Sequence, residues 1–121
     1  MHGLSKLWPV HWIRPADGES NVSEIQPMFQ RVAVIGLGLI GGSLAKAIRD
    51  NGLAVTVVGA DKRADELTLG TELGIIDEAA GSVAEAVAGS DLVVLAVPVK
   101  ATRAVLAEIR PHLGENAVLT A

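Results

Sequence analysis

The chain has no cysteine and no tyrosine, and it has one phenylalanine and two tryptophans among its 121 residues. The lack of cysteine excludes disulfides and thiolate metal sites. Because aromatic side chains are scarce while 50% of the residues are hydrophobic, the core must be built from valine, leucine, isoleucine and alanine. Such a core suits a parallel β-sheet that is covered by helices on both faces.

The sequence also has no excess of positive charge and no long hydrophobic run. Its net charge of −4 provides no basic face for nucleic acid. Its apolar stretches are too short to span a bilayer, and no group of histidine, aspartate and glutamate has the spacing of a metal site. We therefore expect a protein that acts on small molecules, with no nucleic acid, membrane or metal as its partner.

A glycine motif follows the first apolar strand of the sequence. The run RVAVIGLGLIGGS contains Gly36, Gly38 and Gly41 in the spacing GxGxxG, directly after the strand pattern of residues 32–35. The residues after it carry an apolar stripe at helical spacing. A strand, a glycine turn and a helix in this order are typical of the phosphate-binding turn of a dinucleotide-binding fold. Backbone N–H groups at the start of such a helix point at the diphosphate.

The three motif glycines have different predicted roles. Gly36 makes the tight turn out of the strand, Gly38 leaves room for the phosphates, and Gly41 lets the helix lie close to the sheet. We expect that replacing Gly38 weakens binding most. A chain with 13 glycines can contain this spacing by chance, but the flanking strand and helix patterns favour the nucleotide interpretation.

An acidic residue ends the second predicted strand. Asp61 follows the apolar run of residues 55–60, where this fold places a carboxylate that accepts the ribose hydroxyls of NAD. A 2′-phosphate would meet this carboxylate at close range, so NAD is favoured over NADP. Lys62 and Arg63 can hold a 2′-phosphate, or they are solvated cations at the start of a surface helix. NADP therefore stays an alternative cofactor.

The rest of the chain alternates helices and strands. The patterns predict a helix over 65–73, a strand at 75–76, a helix opened by the capping box Ser82 to Glu85, a strand over 92–97, a helix over 101–110 that stops before Pro111, and a strand over 117–120 that the chain end truncates. This order predicts an α/β, doubly wound (Rossmann) parallel sheet.

The predicted sheet places the strand over 92–97 beside the first strand. In a doubly wound sheet the strand order reverses between these two strands, and their carboxyl ends border the ligand crevice. Ala96, Val97 and Pro98 should therefore line the path of the cofactor towards its nicotinamide end.

The first thirty residues have no sustained hydrophobic period. They contain three prolines, a polar stretch over 17–21 and both tryptophans. We expect a poorly structured extension over 1–30, followed by an NAD(P)-binding domain over 31–121. Two alternatives are that Met28 is the natural start, with a linker remnant before it, or that Trp8 and Trp12 anchor a partner-binding arm. The region lacks the continuous apolar segment of a signal peptide.

Several segments together resemble one family. The runs RVAVIGLGLIGGSLAKAI, VVGAD, ELGIIDEA, SDLVVLAVPV and ENAVLT closely resemble the nucleotide-binding half of prephenate dehydrogenases, including the arogenate and cyclohexadienyl variants, from about residue 28 to 121. The resemblance implies a set of cofactor contacts: Gly36, Gly38, Leu39, Ile40 and Gly41 on the diphosphate, Asp61 on the ribose, and Ala96, Val97 and Pro98 on the nicotinamide side.

The resemblance also implies a reaction. The family carries out the NAD(P)-dependent oxidative decarboxylation of prephenate to 4-hydroxyphenylpyruvate, or of arogenate to tyrosine, in tyrosine biosynthesis. It implies a cytoplasmic homodimer in which a helical domain binds the substrate. Which of the two substrates is preferred stays open.

The family's catalytic segments are not matched in this sequence. The Asp-x-x-Ser and His-Pro segments and the helical domain have no counterpart here, and His2, His11 and His112 do not replace them. We assign no catalytic residue and expect the chain alone to be inactive. The alternatives are the cofactor domain of another small-substrate reductase and a non-catalytic NAD-sensing module.

Overall fold

A five-stranded parallel sheet forms the centre of the computed structural model, which describes residues 27–121. Its strands are β1 (Phe29–Ile35), β2 (Ala54–Ala60), β3 (Glu78–Ala79), β4 (Leu92–Leu95) and β5 (Val118–Thr120). They lie in the order β3-β2-β1-β4-β5, and every neighbouring pair is parallel. This is the predicted doubly wound order, with β4 beside β1. The interpretations of Trp8, Trp12, His2 and His11 concern positions outside the described residues.

Helices cover both faces of the sheet. They are α1 (Leu39–Asp50), α2 (Ala64–Glu72), α3 (Val83–Val87) and α4 (Val99–Ile109), and a 3₁₀ turn (Arg110–His112) follows α4. Because successive residues of a strand point to opposite faces, β1 contributes Val32 and Val34 to the core under α1 and α2, and Ala33 to the core under α3 and α4. Among residues 27–121, no helix has the length and apolar character needed to cross a membrane.

The predicted core composition is confirmed. The buried hydrophobic residues of the described chain are all valine, alanine, isoleucine or leucine. Apart from Phe29, which is partly buried against one core cluster, these smaller residues fill the space between the sheet and its helices through close packing.

The strand predicted at residues 75–76 is wrong. Ile75 and Ile76 lie in the turn after α2, and both N–H groups donate to the carbonyl of Gly70, at 2.8 and 3.3 Å. Gly74 has a φ of +72° and lies just after the end of the helix. The apolar residue at position 76 is explained by its burial, since Ile76 is 2% exposed. The strand begins two residues later, at Glu78.

Several boundaries also differ from the prediction, most of them by one or two residues. β1 begins earlier, at Phe29, and β4 ends at Leu95. α4 begins at Val99, two residues before its predicted start, and Pro111 lies inside the 3₁₀ turn that follows it. The predicted N-cap is confirmed, because Ser82 Oγ accepts a hydrogen bond from the N–H of Glu85 at 3.1 Å. The Glu85 carboxylate accepts from the N–H of Gly81 at 3.0 Å, one residue before the N-cap, so the predicted capping box is formed only in part.

Asp91 fixes the start of β4 against β1. Its carboxylate accepts hydrogen bonds from the N–H groups of Gln30 and Arg31, each at 2.9 Å. Burial acts to raise the pKa of Asp91, but these hydrogen bonds to the charged form outweigh it, so the pKa lies below its ordinary value. The carboxylate thereby holds the amino ends of the two strands together.

Candidate functional site

The residues predicted to bind a cofactor meet at the carboxyl edge of the sheet. The loop after β1 lies between the end of β2 and the end of β4, its two neighbours in the sheet. Gly36 donates its N–H to the carbonyl of Ala60 at 2.7 Å, and Ala96 donates its N–H to the carbonyl of Ile35 at 2.8 Å. The three predicted segments therefore border one crevice at the position where the strand order reverses.

Gly36 and Gly41 are required by close backbone packing. Gly36 has a φ of +99°, and a Cβ there would lie 2.6 Å from the carbonyl oxygen of Ala96. A Cβ at Gly41 would overlap the carbonyl oxygen of Gly36 and lie 3.1 Å from the Cβ of Ala96. This geometry agrees with the predicted tight turn at Gly36 and with the predicted close approach of α1 at Gly41.

Gly38 differs from its two partners, because no protein atom requires a glycine there. It has an ordinary φ of −68°, and a Cβ built on it meets nothing within 4 Å. The space above Gly38 is open, so a diphosphate can approach the backbone closely at this position.

The N-terminus of α1 is open to an anion. Its N-cap residue is Gly38, so no side chain caps it, and its first turn contains no acidic residue. By contrast, α3 is capped by Ser82 and has Glu85 in its first turn. The N–H groups of the first turn of a helix lack partners within the helix and lie at the positive end of its dipole. Leu39 and Ile40, the first two residues of α1, are 87% and 73% exposed.

Asp61 connects the glycine loop to the end of β2. Its Oδ2 accepts a hydrogen bond from the N–H of Leu37 at 2.6 Å, and its Oδ1 accepts one from the N–H of Arg63 at 2.9 Å. Each carboxylate oxygen has a second lone pair, so both can still accept a hydroxyl. Lys62 and Arg63 are exposed, and Arg63 Nη2 lies 3.5 Å from a carboxylate oxygen of Glu66.

Ala96, Val97 and Pro98 form the opposite side of the crevice. Val97 Cγ1 lies 3.3 Å from the position that a Cβ on Gly36 would occupy, and Pro98 is the N-cap of α4. Ala96 and Val97 are half-buried, and Pro98 is exposed. These residues present a mainly apolar wall, which suits the face of a planar ring.

Sequence reasoning missed the role of Leu37 and the bond between Leu37 and Asp61. The side chain of Leu37 is 5% exposed, although it stands between two motif glycines. A long apolar residue at that position was the available signal. His112 lies after the C-terminal end of α4, whose N-terminal end is at the crevice, so it stays away from the site.

Comparison with known proteins identifies the family. A sequence model described as the nucleotide-binding domain of prephenate dehydrogenase matches residues 44–121. Prephenate dehydrogenase from Bacillus subtilis is 36% identical over 87 residues, covering 72% of this chain and 23% of the relative. Cyclohexadienyl dehydrogenase from Zymomonas mobilis is 36% identical over 92 residues, covering 76% of this chain and 31% of the relative.

A solved structure supports the same assignment. Prephenate dehydrogenase from A. aeolicus, in complex with hydroxyphenyl propionate and NAD+, superposes with a TM-score of 0.68 at 32% identity. The match covers 74% of this chain and 32% of that one. The chain thus spans less than a third of the length of these relatives. It belongs to the prephenate dehydrogenase family of oxidoreductases, within the nucleotide-binding domain of that family.

Proposed function

We propose that this chain binds NAD at the crevice between β1 and β4, as the coenzyme-binding part of a prephenate or arogenate dehydrogenase. The observation that carries the proposal is the uncapped N-terminus of α1, which stands behind a loop whose surface is open at Gly38. A loop that can be approached closely and a helix end with free donors together fit a diphosphate. The NAD+ complex of the A. aeolicus relative supports this choice. The proposed nucleotide-binding domain covers residues 31–121.

The diphosphate would be held by the loop and the first turn of α1. The N–H groups of Leu39 and Ile40 would donate to the phosphate oxygens, because helical geometry leaves them without internal partners. Gly38 provides the room for this approach, while Gly36 and Gly41 fix the loop backbone against Ala96 and α1. The positive end of the α1 dipole adds a further attraction for the charge.

The adenosine ribose would bind at Asp61. With one lone pair of each oxygen taken by the N–H groups of Leu37 and Arg63, a second lone pair on each remains for the two ribose hydroxyls. A 2′-phosphate would instead meet this carboxylate, a repulsion of about 1 kcal/mol or more at 4 Å. Arg63 lies near Glu66 and Lys62 is exposed, so a 2′-phosphate has no preformed cationic pocket. We propose NAD as the preferred cofactor over NADP.

The apolar wall of the crevice would position the nicotinamide. Bound NAD+ supplies the hydride acceptor for oxidative decarboxylation of the ring substrate. Ala96, Val97 and Pro98 would hold the ring face and exclude water from it. Within residues 27–121 no histidine reaches the crevice, since His112 lies at the far end of α4. We therefore propose that turnover of prephenate or arogenate requires residues beyond those described. From the family relationship we also propose that the whole enzyme is a cytoplasmic homodimer.

Calorimetric titration with NAD+ and NADP+ tests the proposal. We expect wild-type chain to bind NAD+ more tightly than NADP+, and Asp61→Ala to shift the ratio of the two dissociation constants by about tenfold towards NADP+, which corresponds to about 1.4 kcal/mol. Glu72→Ala serves as the control, because it removes an exposed carboxylate at the far end of α2. Folded protein that binds neither coenzyme at millimolar concentration would refute the proposal. An unchanged ratio in Asp61→Ala would refute the role of Asp61 alone.

A further inference from the structure

The residue between the first two motif glycines points into the fold. Leu37 is 5% exposed, whereas Leu39, two residues later, is 87% exposed. Its side chain belongs to the core under α1 and α2, together with Ile76. One residue of the glycine loop is therefore held inside the protein, while the next residues are left on its surface.

The space for Leu37 exists because Gly59 lacks a side chain. A Cβ at Gly59, in β2, would lie 2.8 Å from Leu37 Cδ1 and 3.0 Å from Ile76 Cδ1. At Gly70, in α2, the corresponding distances are 3.4 and 3.5 Å, which is ordinary van der Waals contact. Glycine in the interior of a strand weakens it unless close packing requires it. We call the space that holds the Leu37 side chain, between Gly59 and Gly70, the socket. A side chain at Gly59 would not fit beside Leu37, whereas a methyl group at Gly70 would make ordinary contact.

The main chain of Leu37 is held as well. Its N–H donates to Asp61 Oδ2 at 2.6 Å, and the preceding residue, Gly36, donates to the carbonyl of Ala60 at 2.7 Å. A hydrogen bond to a charged acceptor is stronger than one between neutral groups. The loop is therefore fixed at one residue by a buried side chain and by a charge-assisted hydrogen bond.

We propose that Leu37 is a positioning residue of the diphosphate site and that Gly59 provides its socket. The inference rests on the proposed function. Gly38 and the first N–H groups of α1 follow Leu37 directly in the chain, so a shift of Leu37 moves the donors that face the diphosphate. A misplacement of about 1 Å in a positioned site can cost up to about 100-fold in function. Gly59 thus acts on the cofactor without touching it.

Substitutions on the two sides of the socket test this proposal. Gly59→Ala should push Leu37 outward and weaken NAD+ binding by about tenfold, while Gly70→Ala, with an ordinary contact, should stay within about twofold. Leu37→Val should also weaken binding, because it leaves part of the socket empty. The double variant Leu37→Val with Gly59→Ala should recover most of the affinity, since the added methyl group replaces the lost one. Ile109→Val, in the core on the other face, is the matched control for the lost methylene group.

The dissociation constant of NAD+ for folded protein is the deciding measurement, with thermal unfolding recorded in parallel. A purely structural role would lower the unfolding temperature and leave the dissociation constant unchanged, which would overturn the proposal. Equal losses in Gly59→Ala and Gly70→Ala, or no recovery in the double variant, would overturn it too. If Gly59→Ala does not fold, the comparison of Leu37→Val with Ile109→Val decides. Weaker NAD+ binding by Leu37→Val than by Ile109→Val supports the proposal, and the same NAD+ affinity in both variants contradicts it. Wild-type chain that binds no NAD+ refutes the proposed function and this inference together.

Discussion

Gly38 and Gly41 offer a direct test of how the loop works, because the same substitution should have opposite consequences at the two positions. A Cβ on Gly38 meets no protein atom within 4 Å, whereas a Cβ on Gly41 would overlap the carbonyl oxygen of Gly36. Gly38→Ala should therefore keep the fold and affect only a ligand. Gly41→Ala should disturb the fold itself.

The stability change expected for Gly38→Ala is small because two effects offset each other. Alanine is a poorer N-cap residue than glycine, which costs about 0.5–1 kcal/mol. Alanine also restricts the unfolded chain at a position with an ordinary φ, which contributes about 0.4–1 kcal/mol in favour of folding. For Gly41→Ala the overlap with the Gly36 carbonyl should cost about 3 kcal/mol. At about 4–8 °C per kcal/mol for a domain of this size, the unfolding temperature should fall by more than about 10 °C.

The binding change expected for Gly38→Ala is large. The added methyl group occupies the open space through which the diphosphate would approach the N–H groups of α1. Loss of one hydrogen bond to a charged group costs about 1.5–3 kcal/mol. A loss of about 2 kcal/mol raises the dissociation constant of NAD+ roughly thirtyfold. Calorimetry on the two variants, each with a thermal unfolding curve, measures both quantities.

One result would refute this reasoning. If Gly38→Ala is folded and binds NAD+ as tightly as wild-type chain, the diphosphate does not approach the backbone at Gly38. The glycine motif would then serve only the packing of α1 against the loop, which Gly36 and Gly41 already explain.

Two further predictions concern stability. Asp91 has a lowered pKa in the folded chain, against its ordinary value of 3.8, so its contribution is complete above that value and is lost as the pH falls through the folded pKa. Denaturant unfolding from about pH 6 down to about pH 2.5 should show a loss of stability that is smaller in Asp91→Asn, and identical pH profiles would contradict this account. Ile76→Ala removes a side chain that is 2% exposed and packs near Gly59 and Gly70, and it should cost about 2–5 kcal/mol in the free energy of unfolding. A loss below about 1 kcal/mol would mean that the turn collapses around the smaller side chain.

The sequence was sufficient to predict the architecture because its signals are local. The apolar runs of β1, β2 and β4 and the stripe of α1 follow the periods of strand and helix. Gly74 and Ser82 mark helix ends by conformational preference and hydrogen bonding, which act within a few residues. These features predict the order of elements, and the handedness of parallel connections then predicts the sheet.

The errors and omissions have a common physical origin in contacts between distant residues. Ile75 and Ile76 form a short apolar pair that a buried turn and a buried strand can both contain, so periodicity cannot separate them. The packing of Leu37 against Gly59 joins a loop residue to a residue of β2, and it requires that Gly59 has no side chain. The hydrogen bond from the Leu37 N–H to Asp61 likewise uses a backbone group that has no sequence signature.

The start of α1 shows how an apparent defect of the sequence relates to the proposed function. A capped helix start such as that of α3 satisfies its own N–H groups, whereas α1 begins without a cap and without an acidic residue in its first turn. A glycine N-cap in place of serine or threonine costs a helix about 0.3 kcal/mol. A diphosphate bound at those N–H groups would restore this stabilisation, and the folded chain would gain RT ln(1 + [L]/Kd) on binding. Because α4 also starts without a side-chain cap or an acidic first turn, what sets α1 apart is the open space at Gly38, which leaves its donors available to the coenzyme.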